Sequence, residues 1–206
     1  LAGTAAAFAV TAGLKTRPSP ILETQVAKTF SPVCGCATAV ATISFRLRLG
    51  DRLTLALEDA SGRTVRVLVA NARVPAGSRT WRWNGLRDDG TRAPDGLYRP
   101  RIELDDADRV LLLPNRIRLD TQPPAVSVVG TPQLGGPGAL VVRYRLDEAA
   151  RGLLSVGSVR VARTRFARLD ETIRVGPRTL TAVHAERGPV RLAAEDLAGN
   201  VSEPLL

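Results

Sequence analysis

Residues 80–104, TWRWNGLRDDGTRAPDGLYRPRIEL, contain two extended segments joined by turn-forming residues. Trp81 and Trp83 are two positions apart, so in a strand both side chains point to the same face. Two turns are predicted in quick succession, at positions 89–90 and 95–96, because glycine follows aspartate there and adopts backbone angles that other residues avoid. The stretch therefore predicts strand, turn and strand, the repeating unit of a β-sandwich.

Upstream segments alternate in the same way. Residues 43–48 place Ile, Phe and Leu on one face and Ser and Arg on the other. The segments at residues 52–58 and 63–69 predict strands with aliphatic inward faces, formed by Leu53, Leu55, Leu57, Val65, Val67 and Val69. Turn residues separate the segments about every 8–12 residues, which is typical of two packed antiparallel sheets.

The second half of the chain has the same organisation. Pro123 and Pro124 cannot continue a sheet ladder, so residues 120–124 predict a boundary between two domains. Further strands are predicted at residues 125–129, 139–146, 153–163, 171–175, 179–185 and 190–195. Aromatic residues make up only 4% of the chain. The cores must therefore be aliphatic, and two small cores are easier to build that way than one large one.

The apolar N-terminal segment, LAGTAAAFAVTAGL, has no charged residue. As a helix it extends about 21 Å, short of the roughly 30 Å of a hydrocarbon core. Three interpretations are open: an uncleaved membrane anchor, which we favour, a signal peptide cleaved after residues 10–12, or a helix packed in the core of a filament. Each of them predicts that residues 18–206 lie outside the cytoplasm.

The chain has a net charge of +9 and a pI of about 11, and nearly all of its positive charge is arginine. Residues 1–119 contain 18 basic and 11 acidic residues, against 11 and 9 in residues 120–206. This composition is explained most simply by GC-rich coding; the functional alternative is attraction to anionic lipid headgroups or cell-wall polyanions. Nucleic acid is not a predicted partner, because acidic residues, and not stacking aromatics, are interspersed with the basic ones.

Several motifs in the first half resemble the Ig-like domain of flagellar hook-capping proteins. They are Val65-Arg66-Val67-Leu68, Trp83-Asn84-Gly85, Asp88-Asp89-Gly90 and Pro94-Asp95-Gly96-Leu97-Tyr98. The resemblance covers residues 28–119 and implies a sandwich; it does not imply catalytic activity. Many such domains have acidic residues after a Phe-Ser-Pro segment, but here Phe30-Ser31-Pro32 is followed by valine and cysteine. Oxygen ligands for Ca²⁺ are missing there, so no metal is predicted.

Residues 120–206 resemble another Ig-like module of bacterial surface proteins, through the entry segment at 120–124 and the terminal hairpin at 195–202. The predicted fold class is all-β, with two tandem Ig-like β-sandwiches preceded by a short apolar segment that is predicted to be helical. The predicted boundaries are 1–17 for the anchor or signal segment, 18–27 for a linker, 28–119 for the first domain and 120–206 for the second.

The pair Cys34 and Cys36 is the most unusual chemical feature. Three states are open to it: a disulfide across Gly35, favoured by the predicted oxidising compartment, free thiols or intermolecular bridges, and a metal or redox site. Two cysteines do not complete a zinc site, and the single histidine, His184, is far away in the sequence.

The densest basic run consists of Arg160, Arg163, Arg165 and Arg168, which predicts either a solvated strand face or an anion-binding patch. No catalytic residue is predicted, because one histidine cannot form a triad and the sequence has no Gly-x-Ser-x-Gly elbow. No cofactor is predicted either.

These features predict a non-catalytic cell-surface or secreted protein that presents two Ig-like modules from a membrane tether. The alternative is a subunit of an extracellular filament or envelope complex that assembles through the apolar N-terminus. The predicted partners are a membrane, a protein or cell-wall polyanion, and further copies of the chain.

Overall fold

The computed structural model describes residues 18–135, 138–183 and 188–205. This part of the chain is all-β apart from one short helix, as the alternation predicts. The helix predicted at the apolar N-terminus lies outside the described residues. Within the described ranges, no helix is long and apolar enough to cross a membrane.

Two sheets form the first sandwich. The smaller one has the order β1-β3-β6, and the larger one has the order β2-β9-β7-β4-β5, with β8 paired to β7. Neighbouring strands are antiparallel, except that β2 and β9 are parallel. The strands are β1 (Ile21–Val26), β2 (Thr29–Phe30), β3 (Ala41–Leu47), β4 (Asp51–Glu58), β5 (Thr64–Val74), β6 (Gly77–Trp83), β7 (Gly96–Leu104), β8 (Arg109–Leu112) and β9 (Ile117–Leu119).

The core of the first sandwich is centred on Trp83, which is fully buried. Its ring centroid lies 5.1 Å from that of Phe30 and 4.8 Å from that of Tyr98, which meets it edge-on. Trp83 Nε1 donates to the Leu86 carbonyl oxygen at 2.8 Å, so the polar atom of the indole is paired. Aliphatic side chains from both sheets fill the rest of the core, as the alternation in β3 and β4 predicts.

The predicted linker at residues 18–27 is corrected by the structure, because most of it forms β1. Ile21 is buried, and β1 pairs with β3 through a register shift between Leu22 and Gln25. Glu23 within that irregularity has a positive φ of 52°. The bulge interrupts the period of two, which is why this strand has no regular alternation in the sequence.

The inward face predicted for β5 is also partly wrong. The pairing of β4 with β5 shifts register at three places, so Val65, Leu68 and Val69 pack against the core and Val67 does not. Each bulge moves the following side chains to the opposite face.

The second half of the chain, which the sequence predicts to be a sandwich and which we call the second sandwich, is one six-stranded hydrogen-bonded sheet. It is built around β12, which is 18 residues long. Its first part pairs with β10, β11 and β14, and its second part pairs with β13 and β15. The strands are β10 (Val126–Val128), β11 (Gln133–Gly135), β12 (Ala139–Val156), β13 (Val159–Arg163), β14 (Ala167–Val175) and β15 (Val190–Asp196). The sequence predicts separate strands at residues 139–146 and 153–163. The bulge between Leu146 and Ala150 interrupts the alternation within β12, and a turn at residues 157–158 divides the second predicted strand between β12 and β13.

The strand predicted at residues 179–185 is wrong for its described part. Residues Pro177–Val183 form helix α1 instead. Proline favours the first turn of a helix, and Leu180 N donates to the Gly176 carbonyl oxygen at 3.2 Å. Two threonines and a valine in this segment gave it the composition of a strand, which the local turn overrides.

Candidate functional site

The loop between β2 and β3 contains a disulfide between Cys34 and Cys36. Of the three states open to this pair, the structure has the intramolecular bridge. Cys36 is exposed to solvent, and Cys34 is half-buried. We call residues 34–38 the disulfide loop.

The disulfide loop lies against the turn that follows β15 in the second sandwich, residues 196–200, which we call the β15 turn. Thr38 Oγ1 donates to the Ala198 carbonyl oxygen at 2.6 Å. Gly199 in this turn has a φ of 94°, and a Cβ atom placed on it would lie 2.4 Å from Cys36 Sγ. The two sandwiches are therefore in direct contact at the disulfide, and only glycine allows an approach this close.

A second contact joins the β15 turn to the segment between the sandwiches. Asn200, which is 4% exposed, donates through Nδ2 to the carbonyl oxygens of Asp120 at 3.0 Å and Gln122 at 3.2 Å. Asp196 keeps the turn closed, because its carboxylate accepts from the backbone N–H groups of Gly199 and Asn200 at 2.7 and 2.9 Å. The connecting segment is tied to the first sandwich as well, since Thr121 N donates to Asp95 Oδ2 at 3.1 Å.

An open cleft of about 540 Å³ lies beside these contacts. Its charged lining consists of Lys28, Arg118, Asp120, Asp147, Glu148 and Asp196. Burial raises the pKa of Glu148, and repulsion from Asp120, Asp196 and Asp147 raises it further. No group of three or more His, Cys, Asp or Glu side chains among the described residues has an arrangement that could hold a metal ion.

The four arginines of the predicted anion-binding patch have different surroundings. Arg160 and Arg165 are exposed, and the side chain of Arg168 lies outside the described part of the structure. Arg163 forms an ion pair with Glu195 at 3.2 Å, and Arg151 pairs with the same carboxylate at 2.6 Å. Glu195 therefore partly neutralises the positive charge of this strand face.

Several aromatic and acidic side chains of the first sandwich have structural surroundings. Trp81 stacks against Phe45 at 4.6 Å, so both tryptophans contribute to the core. In the acidic run that follows β7, Asp106 N donates at 2.9 Å to Asp51, and the Asp106 carboxylate pairs with Arg73. The Asp89 carboxylate accepts hydrogen bonds from the side chain and the backbone N–H of Thr91, which lower the pKa of Asp89 and close the turn. His184 lies outside the described residues.

Residues 38–108 match the family model of the FlgD Ig-like domain. The resemblance seen in the motifs of the first half is confirmed over these residues, which lie within the first sandwich. No curated protein sequence matches the chain.

Solved structures resemble most of the chain at low sequence identity. The fibronectin(III)-like modules of Clostridium thermocellum CbhA are 12% identical with a TM-score of 0.44, over 89% of this chain and 90% of that one. The ligand-binding domain of human OSCAR is 14% identical with a TM-score of 0.41, over 91% and 95%. The BSP domain of a biofilm-associated protein is 14% identical with a TM-score of 0.32, over 90% and 28%. At these values the likenesses have no bearing on function.

Sequence reasoning did not find the contact between the two sandwiches. The sequence indicates the cysteine pair only as a chemical feature and residues 195–202 only as a terminal hairpin. Thr38 and Ala198, which form a bond across this contact, are 160 residues apart in the sequence. No local sequence pattern connects residues at that distance.

Proposed function

We propose that this chain is a non-catalytic structural or interaction protein outside the cytoplasm, and that it presents two Ig-like modules in a fixed relative orientation from a membrane tether. The observation that supports this proposal is the double contact at the β15 turn, in which the turn binds both the disulfide loop and the segment between the modules. We call a protein of this kind a spacer. A spacer requires a contact that fixes its modules, because a flexible linker alone leaves them free to reorient.

The location outside the cytoplasm is supported by the intramolecular disulfide and by the FlgD Ig-like domain match. Disulfides of this kind persist in oxidising compartments and are rare in the cytosol. The net charge of +9 favours an acidic partner, which is either a negatively charged protein surface or a cell-wall polyanion.

The tether is tested by removing residues 1–17. We expect the intact protein to require detergent and the shortened protein to be a soluble monomer by light scattering. Ordered assemblies that persist after the deletion would contradict the tether.

The fixed orientation is tested by residual dipolar couplings measured on the shortened, oxidised protein. Both modules are expected to fit one alignment tensor. Replacing Thr38 by valine removes the hydroxyl that donates to Ala198 and keeps the shape of the side chain. We expect this variant to give two distinguishable tensors. Thr42→Val, on the exposed face of β3, is the matched control and should behave like the unaltered protein. Two different tensors in the unaltered oxidised protein would overturn the proposal.

A further inference from the structure

The disulfide lies at the contact between the two modules and outside both hydrophobic cores. The core of the first module is formed by residues between Ile21 and Leu119, and that of the second by residues between Leu140 and Ala194. Neither core includes a cysteine. A bridge that closes so short a loop also restrains the unfolded chain little. Its effect on the molecule is therefore local to the contact.

The bridge contacts the residues that form the disulfide loop. Cys36 N donates to Cys34 Sγ at 3.3 Å, and Cys34 N donates to the Ser31 carbonyl oxygen at 3.3 Å. Cys36 Sγ lies 3.0 Å from Thr38 Oγ1. The same threonine hydroxyl donates to the Ala198 carbonyl oxygen of the second module, so Cys36 Sγ lies in contact with the group that crosses between the modules.

The opposing surface fits the bridged form. A Cβ atom on Gly199 would lie 2.4 Å from Cys36 Sγ, 2.7 Å from Thr38 Oγ1 and 3.4 Å from Cys34 Sγ. The β15 turn thus packs its one residue without a side chain against the disulfide. Two separate thiol side chains rotate independently and need more room than the bridge does.

The bridge is also accessible, because Cys36 is exposed. A dithiol reductant can attack one sulfur through its thiolate, break the S–S bond and form a mixed disulfide. The second thiol of the reductant then releases the protein. The protein gains two electrons and two protons as two thiols, and the reductant becomes a cyclic disulfide.

We propose that the Cys34–Cys36 disulfide is a redox-sensitive latch between the two modules. Oxidised, it fits the β15 turn and fixes the orientation of the second module. Reduction by a dithiol releases the disulfide loop from the turn. The bonds from Asn200 to the connecting segment do not hold the orientation alone, so the modules reorient about residues 120–124 while both sandwiches remain folded. This inference rests on the fixed orientation in the proposed function and adds its regulation.

The test uses ¹⁵N relaxation and residual dipolar couplings on the isotope-labelled protein before and after treatment with dithiothreitol. Alkylation and mass measurement confirm the two free thiols. We expect one alignment tensor and equal rotational correlation times when the protein is oxidised, and two tensors with unequal correlation times when it is reduced. The amide shifts of each module's core should stay unchanged.

Two variants separate the latch from a general loss of stability. Cys34→Ser combined with Cys36→Ser should show two tensors without reductant, and dithiothreitol should not change it further. Gly199→Ala keeps the disulfide but adds the Cβ that the contact excludes, so it should show two tensors in both redox states. Gly176→Ala, at a glycine with open space around it, should respond as the unaltered protein does.

The outcomes distinguish the latch from the spacer. Two tensors in the oxidised protein contradict the spacer itself. One tensor in both redox states, with reduction confirmed by mass, keeps the spacer and overturns the latch.

Discussion

Single glycines decide how closely the chain can approach itself in the second sandwich. Gly152 lies in β12, where a Cβ atom would be 2.6 Å from Tyr144 Oη and 3.0 Å from Ile173 Cδ1. Its N–H donates to Thr164 Oγ1 at 2.8 Å, and the same threonine oxygen lies 2.9 Å from Tyr144 Oη. The tyrosine fits its buried position because the strand has no side chain there. Burial also raises the pKa of Tyr144.

The Gly152→Ala substitution is expected to destabilise the second sandwich by about 1–3 kcal/mol, because Tyr144 must leave its position or the strand must shift. Both tryptophans lie in the first sandwich, so tryptophan fluorescence reports on that module and far-ultraviolet circular dichroism reports on both. In urea we expect an earlier dichroism transition and an unchanged fluorescence transition. Gly176→Ala is the control, and an equal effect from it would refute the steric reason.

At the scale of elements, the first sandwich depends on how the two turns before β7 are closed. Tyr98 Oη donates to the Pro94 carbonyl oxygen at 2.5 Å, so the side chain at the start of β7 ties back to the turn four residues upstream. The arrangement is that of a tyrosine corner, a feature of Ig-like sandwiches. Asp88 adds a second tie, because its carboxylate accepts from Val67 N at 3.0 Å and so attaches the turn to β5.

Two substitutions of Tyr98 separate the hydrogen bond from the packing of the ring. Tyr98→Phe removes the bond to the carbonyl oxygen of Pro94, which is an exposed residue, so we expect a loss of about 1 kcal/mol in the free energy of unfolding. Tyr98→Ala also removes the ring that packs edge-on to Trp83, and the expected loss is about 3–5 kcal/mol. Urea unfolding followed by tryptophan fluorescence measures both. Equal losses would mean that the ring contributes nothing beyond its hydroxyl.

At the scale of the whole molecule, the cleft between the sandwiches brings like charges together. Asp120 comes from the connecting segment, whereas Asp147, Glu148 and Asp196 come from the second sandwich. Burial first, and then these three aspartates, make the charged form of Glu148 unfavourable in the folded protein. Arg118 opposes this effect. The folded state therefore binds the Glu148 proton more tightly than the unfolded chain does.

The pH dependence follows from the direction of that shift. A raised pKa means that stability from this group is fully present below the unfolded value, near 4.5, and is lost as pH rises through the folded value. Glu148→Gln is uncharged, so we expect it to melt at a modestly higher temperature than the unaltered protein at pH 7. The difference should disappear as pH falls below about 4.5. Glu203→Gln, at an exposed position, is the control, and a difference independent of pH would contradict the electrostatic reason.

The strands of both sandwiches could be predicted where their alternation is regular. The buried face of β3 is the clearest case, with Ile43, Phe45 and Leu47 inward and Arg46 outward. A period of two is a local property of the chain, and it survives in any fold that buries one face of a sheet. The bulges in β1, β5 and β12 made the predicted strand bounds and inward faces wrong, because each bulge interrupts the two-residue alternation of buried and exposed side chains.

The contact between the modules was decided by the tertiary structure alone. The amino-acid sequence determined the all-β class, the Ig-like character of the first half and the short spacing of Cys34 and Cys36. It gave no indication that this pair would face Gly199, because which surfaces meet depends on the sum of many packing contacts across both domains. Local sequence patterns indicate which face of a strand is buried. The contact between the modules instead depends on the shapes of the two surfaces and on hydrogen bonds between residues far apart in the chain, such as that from Asn200 to Asp120.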